Sequence, residues 1–154
     1  MAHPVNDHAL DVIFRDARSQ NGFLDKSVPE VLVRAVYDLA KMAYDLKFQE
    51  KIPKLFPHAP EAKDWFNSNR DETAFRNGTL QGAYLMIAAR ALGLDCGPMS
   101  GFDADGVNKE FFESQDGEMQ HWRANFICNI GHGDKSKLFD RSPRLDFEEA
   151  CRVL

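Results

Sequence analysis

The sequence predicts a single domain in which helices predominate and strands are few. Apolar residues recur with a period of 3.6 between Leu32 and Leu46, a longer helical pattern covers residues 71–92, and residues 126–130 form one convincing strand. The chain has 154 residues, 44% of them hydrophobic, which is enough to bury one core. We therefore interpret residues 1–154 as one domain.

Two helices are predicted in the N-terminal part. Leu10, Ile13 and Phe14 recur at helical spacing after the polar Asn6, and a polar loop follows at residues 18–22. The second helix starts at the motif Ser-Val-Pro-Glu of residues 27–30, which is typical of a capping box. Its apolar stripe continues through the triplet Tyr-Asp-Leu, which occurs twice, one heptad apart. Local spacing alone therefore favours one uninterrupted helix.

The strongest helical pattern covers residues 71–92. Gly93 follows it and suits the C′ position of a helix. Gly78 and Gly82 give another side of the helix small residues, which predicts close packing against a second helix or a partner chain. The apolar residues expected on the core face are Phe75, Leu80, Tyr84, Ile87, Ala88 and Ala91.

The C-terminal third contains the single predicted strand. Asp103 is expected to cap a short helix over residues 103–112, and a final helical turn is expected within residues 147–154. No segment other than residues 126–130 is rich in Val, Ile and Thr. Because unpaired backbone groups are costly to bury, this strand is expected to pair with a second copy of the chain or with strands that the sequence lacks.

Residues 93–103 contain small residues and a Gly-Pro turn. Their composition favours a connecting loop, and the alternative is a segment whose backbone approaches a flat ligand closely. Arg18 and Arg144 are candidates for contacts to an anion, although isolated arginines are more often surface residues.

Several classes of function are disfavoured. The net charge of −5, without a stripe of Lys and Arg, argues against nucleic-acid binding. No apolar run is long enough to span a membrane, and the three cysteines include no CxxC pair, so we expect reduced thiols and a cytoplasmic location. The five histidines lack the spacing of metal ligands, and no metal site is predicted. The motif GHGDKS at residues 131–136 lacks the spacing of a nucleotide-binding loop and is interpreted as a turn.

Eight blocks, in order along the chain, carry a resemblance to a known family. The chain resembles the nitroreductase family of flavoenzymes, and most closely its malonic semialdehyde reductase branch. Each block is weak alone, whereas the set is specific and covers nearly the whole chain. The blocks are FRDARSQNG (14–22), LFPH (55–58), ETAFRN (72–77), ALGLD (91–95), GPMSGFD (97–103), NIGHGD (129–134), PRL (143–145) and FEEAC (147–151).

The resemblance implies an α+β fold in which helices surround a mainly antiparallel sheet and two chains intertwine as a homodimer. It also implies FMN at the dimer interface, NADH or NADPH as electron donor, and a small-molecule acceptor. No protein nucleophile is implied, because the cofactor carries the chemistry. The implied phosphate contacts are Arg18, Ser19, Asn21 and Arg144, and the implied ring contacts are Pro98, Met99, Ser100 and Gly101.

The resemblance also explains the repeated triplet. In the family, a flavin-contacting loop, core strands and another helix separate the positions that match Met42 and Ala43, which are adjacent here. We call this junction the seam, and the sheet is therefore expected to be incomplete. A shortened gene product, a deliberate deletion and residues omitted from the sequence are alternative explanations.

The implied function is that of an FMN-dependent NAD(P)H oxidoreductase acting on a small aldehyde, nitro or quinone-like acceptor. The alternative is a non-catalytic, flavin-free remnant that serves as a helical dimerisation or interaction module. An unrelated helical binding domain would require all eight blocks to match by coincidence.

Overall fold

A computed structural model describes residues 4–40, 54, 56–62, 64, 68–113 and 119–153. The elements named here, in chain order, are α1 (Asp7–Leu10), α2 (Glu30–Ala40), α3 (Arg70–Ala91), β1 (Asp95–Met99), α4 (Ala104–Asn108), β2 (Ile127–Gly131) and α5 (Phe147–Ala150). A π-helical turn follows α1 at Asp11–Arg15 and another follows α4 at Lys109–Glu113, and Lys135–Lys137 form a 3-10 turn.

Local capping follows the sequence pattern closely. The Asn6 side chain accepts a hydrogen bond from the backbone N–H of Ala9 at 2.8 Å, and Asp103 accepts one from Gly106 at 2.9 Å. Gly93 ends α3 with a φ of 79°, a backbone conformation in which other residues are strained. The helix starts and stops predicted from these polar residues and this glycine are confirmed.

The described part of α2 ends at Ala40. Leu32 and Val33 donate backbone hydrogen bonds to the carbonyl of Pro29, which fixes the start of the helix directly after that proline. The second Tyr-Asp-Leu triplet and the seam between Met42 and Ala43 lie outside the described residues.

The prediction that the strand near Cys128 lacks a partner in this chain was wrong. β2 pairs in antiparallel register with β1, from Asp95 opposite Gly131 to Met99 opposite Ile127. The sequence of β1 is Asp-Cys-Gly-Pro-Met, and its composition had favoured a connecting loop. A strand forms through backbone hydrogen bonds to a neighbouring strand. Here the pairing with β2 outweighs the poor strand propensity of the β1 residues.

A segment of the N-terminal loop lies along the other edge of β1 and then along the residues that follow β2. Ser19 forms a parallel bridge with Cys96, and Phe23 forms an antiparallel bridge with Gly133. The approach is so close that a Cβ atom at Gly97 would lie 2.6 Å from the backbone oxygen of Gln20. Glycine is therefore required at position 97 for the loop to lie against the strand.

The core of the described chain lies where α2, α3 and β1 meet. Its buried residues belong to the C-terminal halves of the two helices and to the start of the strand. Partly buried apolar side chains, including Leu32, Leu85 and Ile130, pack around them. The buried residues are Val36, Ala40, Ala88, Ala89, Leu94 and Cys96. Among all the described residues, no helix has both the length and the hydropathy that a membrane span needs.

The apolar face predicted for α3 is only partly buried. Ala88 is buried, whereas the side chains of Phe75, Leu80 and Tyr84 are 63%, 52% and 53% exposed. The small-residue side instead packs within the chain, because Gly82 leaves room for the ring of Phe126. The period of the pattern was right, but it did not reveal that the N-terminal half of α3 projects beyond the core.

Candidate functional site

The N-terminal loop and the C-terminal segment enclose a cavity of about 410 Å³. These two parts of the chain are more than 100 residues apart in sequence, and the end of α3 closes the cavity from a third direction. The lining residues are Ile13, Phe14, Ala17, Arg18, Ser19, Asn21, Arg90, Phe139, Asp140, Arg141, Ser142 and Arg144.

Four arginines dominate the charge of this cavity, which we call the arginine cleft. Arg18 comes from the N-terminal loop, Arg90 from the last turn of α3, and Arg141 and Arg144 from the C-terminal segment. Asp140 is the one acidic residue among the lining residues. Within the described ranges, none of the four arginines forms an ion pair. Clustered guanidinium groups without carboxylate partners favour the binding of an anion.

Two arginine side chains join the walls of the cleft in opposite directions. The Nη2 group of Arg18 donates to the backbone carbonyl of Phe139. In return, the Nη2 group of Arg141 donates to the carbonyl of Arg15 at 2.8 Å and lies 3.4 Å from that of Ala17. The two segments are thus fastened by hydrogen bonds from charged donors to backbone oxygens.

Arg144 is held by its own segment. Its Nη1 group donates to the carbonyl of Ser142 at 2.8 Å and lies 3.3 Å from that of Pro143. A guanidinium has five N–H donors, so these contacts leave most of the donors of Arg144 available to a ligand.

The loop that carries Arg18 is fixed to the sheet by a buried residue next to it. Gln20 is 8% exposed, and its backbone N–H donates to the carbonyl of Cys96 at 2.9 Å. Its side-chain amide donates to Asp95 at 3.3 Å, and the other oxygen of Asp95 accepts the N–H of Gly133 at 2.9 Å. Asp95 therefore ties the loop to the start of β1 and the end of β2.

The structure brings four of the predicted site residues together. Arg18, Ser19, Asn21 and Arg144 all line the arginine cleft. This convergence depends on the C-terminal segment returning to the N-terminal loop.

The other four predicted site residues do not line the cleft. Pro98 and Met99 are the last two residues of β1, and Ser100 and Gly101 follow it as exposed chain. Cys96 bridges to Ser19 beside the cleft, and Ser100 lies four residues further, about 13 Å along an extended chain. The two predicted groups thus lie at separate places along one strand.

Arg90 and Arg141 line the cleft, although the sequence patterns did not single them out. Arg90 lies in the helix predicted for residues 71–92, and Arg141 lies outside every predicted helix and strand. The position of Arg90 in the last turn before Gly93 and the spacing of Arg141 three residues before Arg144 were the only local signals. Neither signal shows which way the side chain points.

The cysteines near the sheet offer no nucleophile. Burial, with a smaller contribution from Cys128, raises the pKa of Cys96 to about 12. Burial also raises the pKa of Cys128. Both thiols are therefore protonated and unreactive near neutral pH. No group of three or more His, Cys, Asp and Glu side chains within the described ranges is arranged to hold a metal ion.

Comparison with known proteins identifies close relatives. No family model matches the chain. A Stenotrophomonas maltophilia protein, provisionally assigned as an NADH dehydrogenase/NAD(P)H nitroreductase, is 42% identical over 201 aligned positions that cover 99% of this chain and 100% of that protein.

Solved structures share the fold at low sequence identity. A Bacillus subtilis structure, provisionally assigned as a nitroreductase, has a TM-score of 0.73 with 16% identity and covers 97% of this chain and 100% of its own. A Staphylococcus epidermidis structure, provisionally assigned as an NAD(P)H:FMN oxidoreductase, has a TM-score of 0.63 with 13% identity and covers 99% and 98%. The predicted α+β fold class is therefore confirmed.

The alignment with the Stenotrophomonas protein also reveals a difference in length. It spans 201 positions, whereas this chain has 154 residues, so at least 47 positions of the relative have no counterpart here. Because the alignment covers nearly all of both proteins, these positions are internal. The location of the seam at Met42 and Ala43 stays a prediction.

Proposed function

The chain belongs to the nitroreductase family of oxidoreductases, and from this premise we propose that it binds FMN with the phosphate in the arginine cleft. The observation that supports the proposal is the convergence of Arg18, Ser19, Asn21 and Arg144 on one cavity. A phosphate monoester carries about two negative charges at neutral pH and has three strong acceptor oxygens, which suits guanidinium and hydroxyl donors.

The charge balance of the cleft fits such a group. Four guanidinium groups against the one carboxylate of Asp140 leave an excess of positive charge that a phosphate dianion would largely neutralise. Arg144 is exposed, and its contacts to Ser142 and Pro143 in its own segment leave donors for a ligand. Ser19 and Asn21 would add uncharged donors from the opposite wall.

The segment from Pro98 to Gly101 is the proposed place of the flavin ring. FMN carries its phosphate and its ring at opposite ends of a ribityl chain, so the two groups of contacts are expected to be separate. When bound, FMN would accept a hydride from NADH or NADPH and pass electrons to the acceptor. The role of the chain's own residues is to bind the phosphate, position the ring and limit access of water.

We propose a small aldehyde, nitro or quinone-like compound as the acceptor, with a malonic semialdehyde-like substrate as the branch resemblance implies. The three cysteines of the described chain are free thiols, which is consistent with a reducing, cytoplasmic location.

A homodimer is part of the proposal. The small-residue side of α3 packs against Phe126 of the same chain, so it does not need a partner. The proposed dimer rests instead on the exposed apolar side chains of Phe75, Leu80 and Tyr84 on the same helix. A second copy of the chain that covered these side chains would remove apolar surface from water. Light scattering that shows a stable monomer at micromolar concentration would contradict the dimer.

A flavin-free remnant is the second candidate, and the length difference favours it. At least 47 internal positions of a close relative are missing, and the resemblance assigns one wall of the flavin ring to the segment that normally follows Met42. Such a chain could retain the cleft and the family's interface without catalysing electron transfer.

FMN titration of the purified apoprotein separates the two candidates. Quenching of flavin fluorescence gives Kd for wild type and for Arg144→Ala, and we expect the substitution to weaken binding by about 1.5–3 kcal/mol, because it removes charged donors to the phosphate. Arg123→Ala is the matched control, since Arg123 also donates only to carbonyls of its own segment, at Gln120 and Trp122. Equal affinity in wild type and Arg144→Ala would exclude the phosphate role, and no FMN binding by wild type would favour the remnant.

A further inference from the structure

Of the four arginines in the cleft, Arg18 and Arg141 donate across it to backbone carbonyls, and Arg141 is the one whose contacts hold the N-terminal loop. Its guanidinium reaches across the cleft to the backbone carbonyl of Arg15, 126 residues away, at 2.8 Å, and to that of Ala17 at 3.4 Å. Arg15 lies three residues before Arg18, and Ala17 directly precedes it. The contact therefore holds the stretch of backbone that leads into the predicted phosphate-binding loop.

Within the described residues, the backbone held by Arg141 makes few backbone hydrogen bonds to the rest of the fold. Asp11–Arg15 form a single π-helical turn, which the N–H of Asp16 closes by donating to Asp11 at 2.8 Å. The next backbone contact to the sheet is that of Gln20, whose N–H donates to Cys96. Between these two points, Arg18 and Ser19 depend on side-chain contacts and on the bridge at Ser19 for their position.

The two cross-cleft contacts form a closed ring. Arg18 donates to Phe139, which lies two residues before Arg141, and Arg141 donates to the residues just before Arg18. Because each arginine fastens the other's segment, the loss of one contact weakens the geometry at the other. Arg144 lies three residues beyond Arg141, so the same ring keeps the segment of Arg144 beside the loop that carries Arg18.

We propose that Arg141 is a positioning residue of the cofactor site, which holds the backbone at Arg15 and Ala17 so that Arg18, Ser19 and Arg144 face one phosphate. This inference rests on the proposed function of the cleft. Its main contacts are with protein backbone, and the residues it positions make the contacts to the phosphate. A direct phosphate ligand and a general stabiliser of the fold are the alternatives to be separated.

The experiment compares wild type with Arg141→Ala, Arg141→Lys and the control Arg123→Ala, and it uses the full chain with two readouts. The first is hydrogen exchange of the apoprotein, read by mass spectrometry in a peptide that spans residues 11–20. The second is the affinity for FMN and for riboflavin, which lacks the phosphate, measured by fluorescence titration.

A positioning role predicts a specific combination of results. Arg141→Ala should speed exchange in residues 11–20 without ligand, and it should weaken FMN binding by about tenfold while riboflavin binding changes little. Arg141→Lys should restore part of both effects, because an ammonium group keeps the charge and the N–H donors but lacks the planar, rigid geometry of a guanidinium group. Arg123→Ala should match wild type in both readouts.

Other combinations would overturn the proposal. Unchanged exchange with weaker FMN binding would make Arg141 a direct phosphate ligand, and an equal loss for FMN and riboflavin with a lower Tm would make it a general stabiliser. If wild type binds no FMN, the proposed function fails separately, and the exchange readout still tests whether Arg141 holds the backbone at Arg15 and Ala17. Exchange at the wild-type rate in Arg141→Ala would then refute it.

Discussion

Replacement of Gly82 by alanine tests how closely α3 packs against the segment that leads into β2. A Cβ atom at Gly82 would lie 2.2 Å from Cζ and 2.5 Å from Cε1 of Phe126, whereas carbon atoms in favourable contact are about 3.5–4.0 Å apart. The ring cannot retreat freely, because the neighbouring Asn125 side chain donates to Phe75 and Thr79 at 3.2 and 2.9 Å. We therefore expect a strained core in Gly82→Ala.

The size of the effect follows from two opposing contributions. Overpacking costs about 1–3 kcal/mol, while alanine in the interior of a helix is about 1 kcal/mol more favourable than glycine. The free energy of unfolding should therefore fall by up to about 2 kcal/mol, whereas without the clash it should rise by about 1 kcal/mol. Gly78, one turn earlier, is the matched control: a Cβ atom there would lie 3.5 Å from Nδ2 of Asn125, which is an ordinary contact. Gly78→Ala should stabilise the chain by about 0.5–1 kcal/mol.

Urea denaturation followed by circular dichroism gives both free-energy differences. A third variant, Gly82→Ala with Phe126→Leu, removes the ring that the methyl group meets, so the alanine should cost less in that background than in wild type. A gain in stability from Gly82→Ala as large as that from Gly78→Ala would refute the close packing of Gly82 on Phe126. Destabilisation by both alanines would instead show that this stretch of α3 tolerates no added side chain.

Three further predictions concern the sheet, the thiols and the seam. Asp95→Ala should lower the free energy of unfolding by about 1–3 kcal/mol, because it leaves a backbone and a side-chain amide unpaired, whereas no change in urea denaturation would contradict the tie. Because burial raises the pKa of Cys96 to about 12 from 9.0, the folded state binds this proton more tightly than the unfolded state. The contribution of the protonated Cys96 thiol to the free energy of unfolding is complete below pH 9 and is lost as the pH rises toward 12. Urea denaturation at a series of pH values should show this decline in wild type and not in Cys96→Ala. Insertion of a family-like segment between Met42 and Ala43 should increase the bound flavin and NADH-dependent turnover of the purified chain. Stoichiometric FMN with fast turnover in the 154-residue chain itself would show that the missing segment is not needed for either.

The sequence alone indicated the starts of α1 and α4 and the end of α3, because these depend on neighbouring residues. Asn6 and Asp103 accept the first free N–H groups of their helices, and Gly93 adopts the backbone conformation that ends α3. The sequence alone also indicated the family and four residues that line the cleft, because the matched blocks identify positions without any knowledge of their geometry. The prediction for the ring contacts stays untested.

Tertiary structure alone decided which segments meet. β1 has no residue pattern typical of a strand, and its pairing with β2 arises from hydrogen bonds between backbone groups that every sequence supplies. The roles of Arg90 and Arg141 were hidden for the same reason, because a guanidinium on a long side chain can contact residues more than 100 positions away. Periodicity reports which side of a helix is apolar, but the extent of the neighbouring core determines how much of that side is covered, as the exposed Phe75 and buried Ala88 of α3 show.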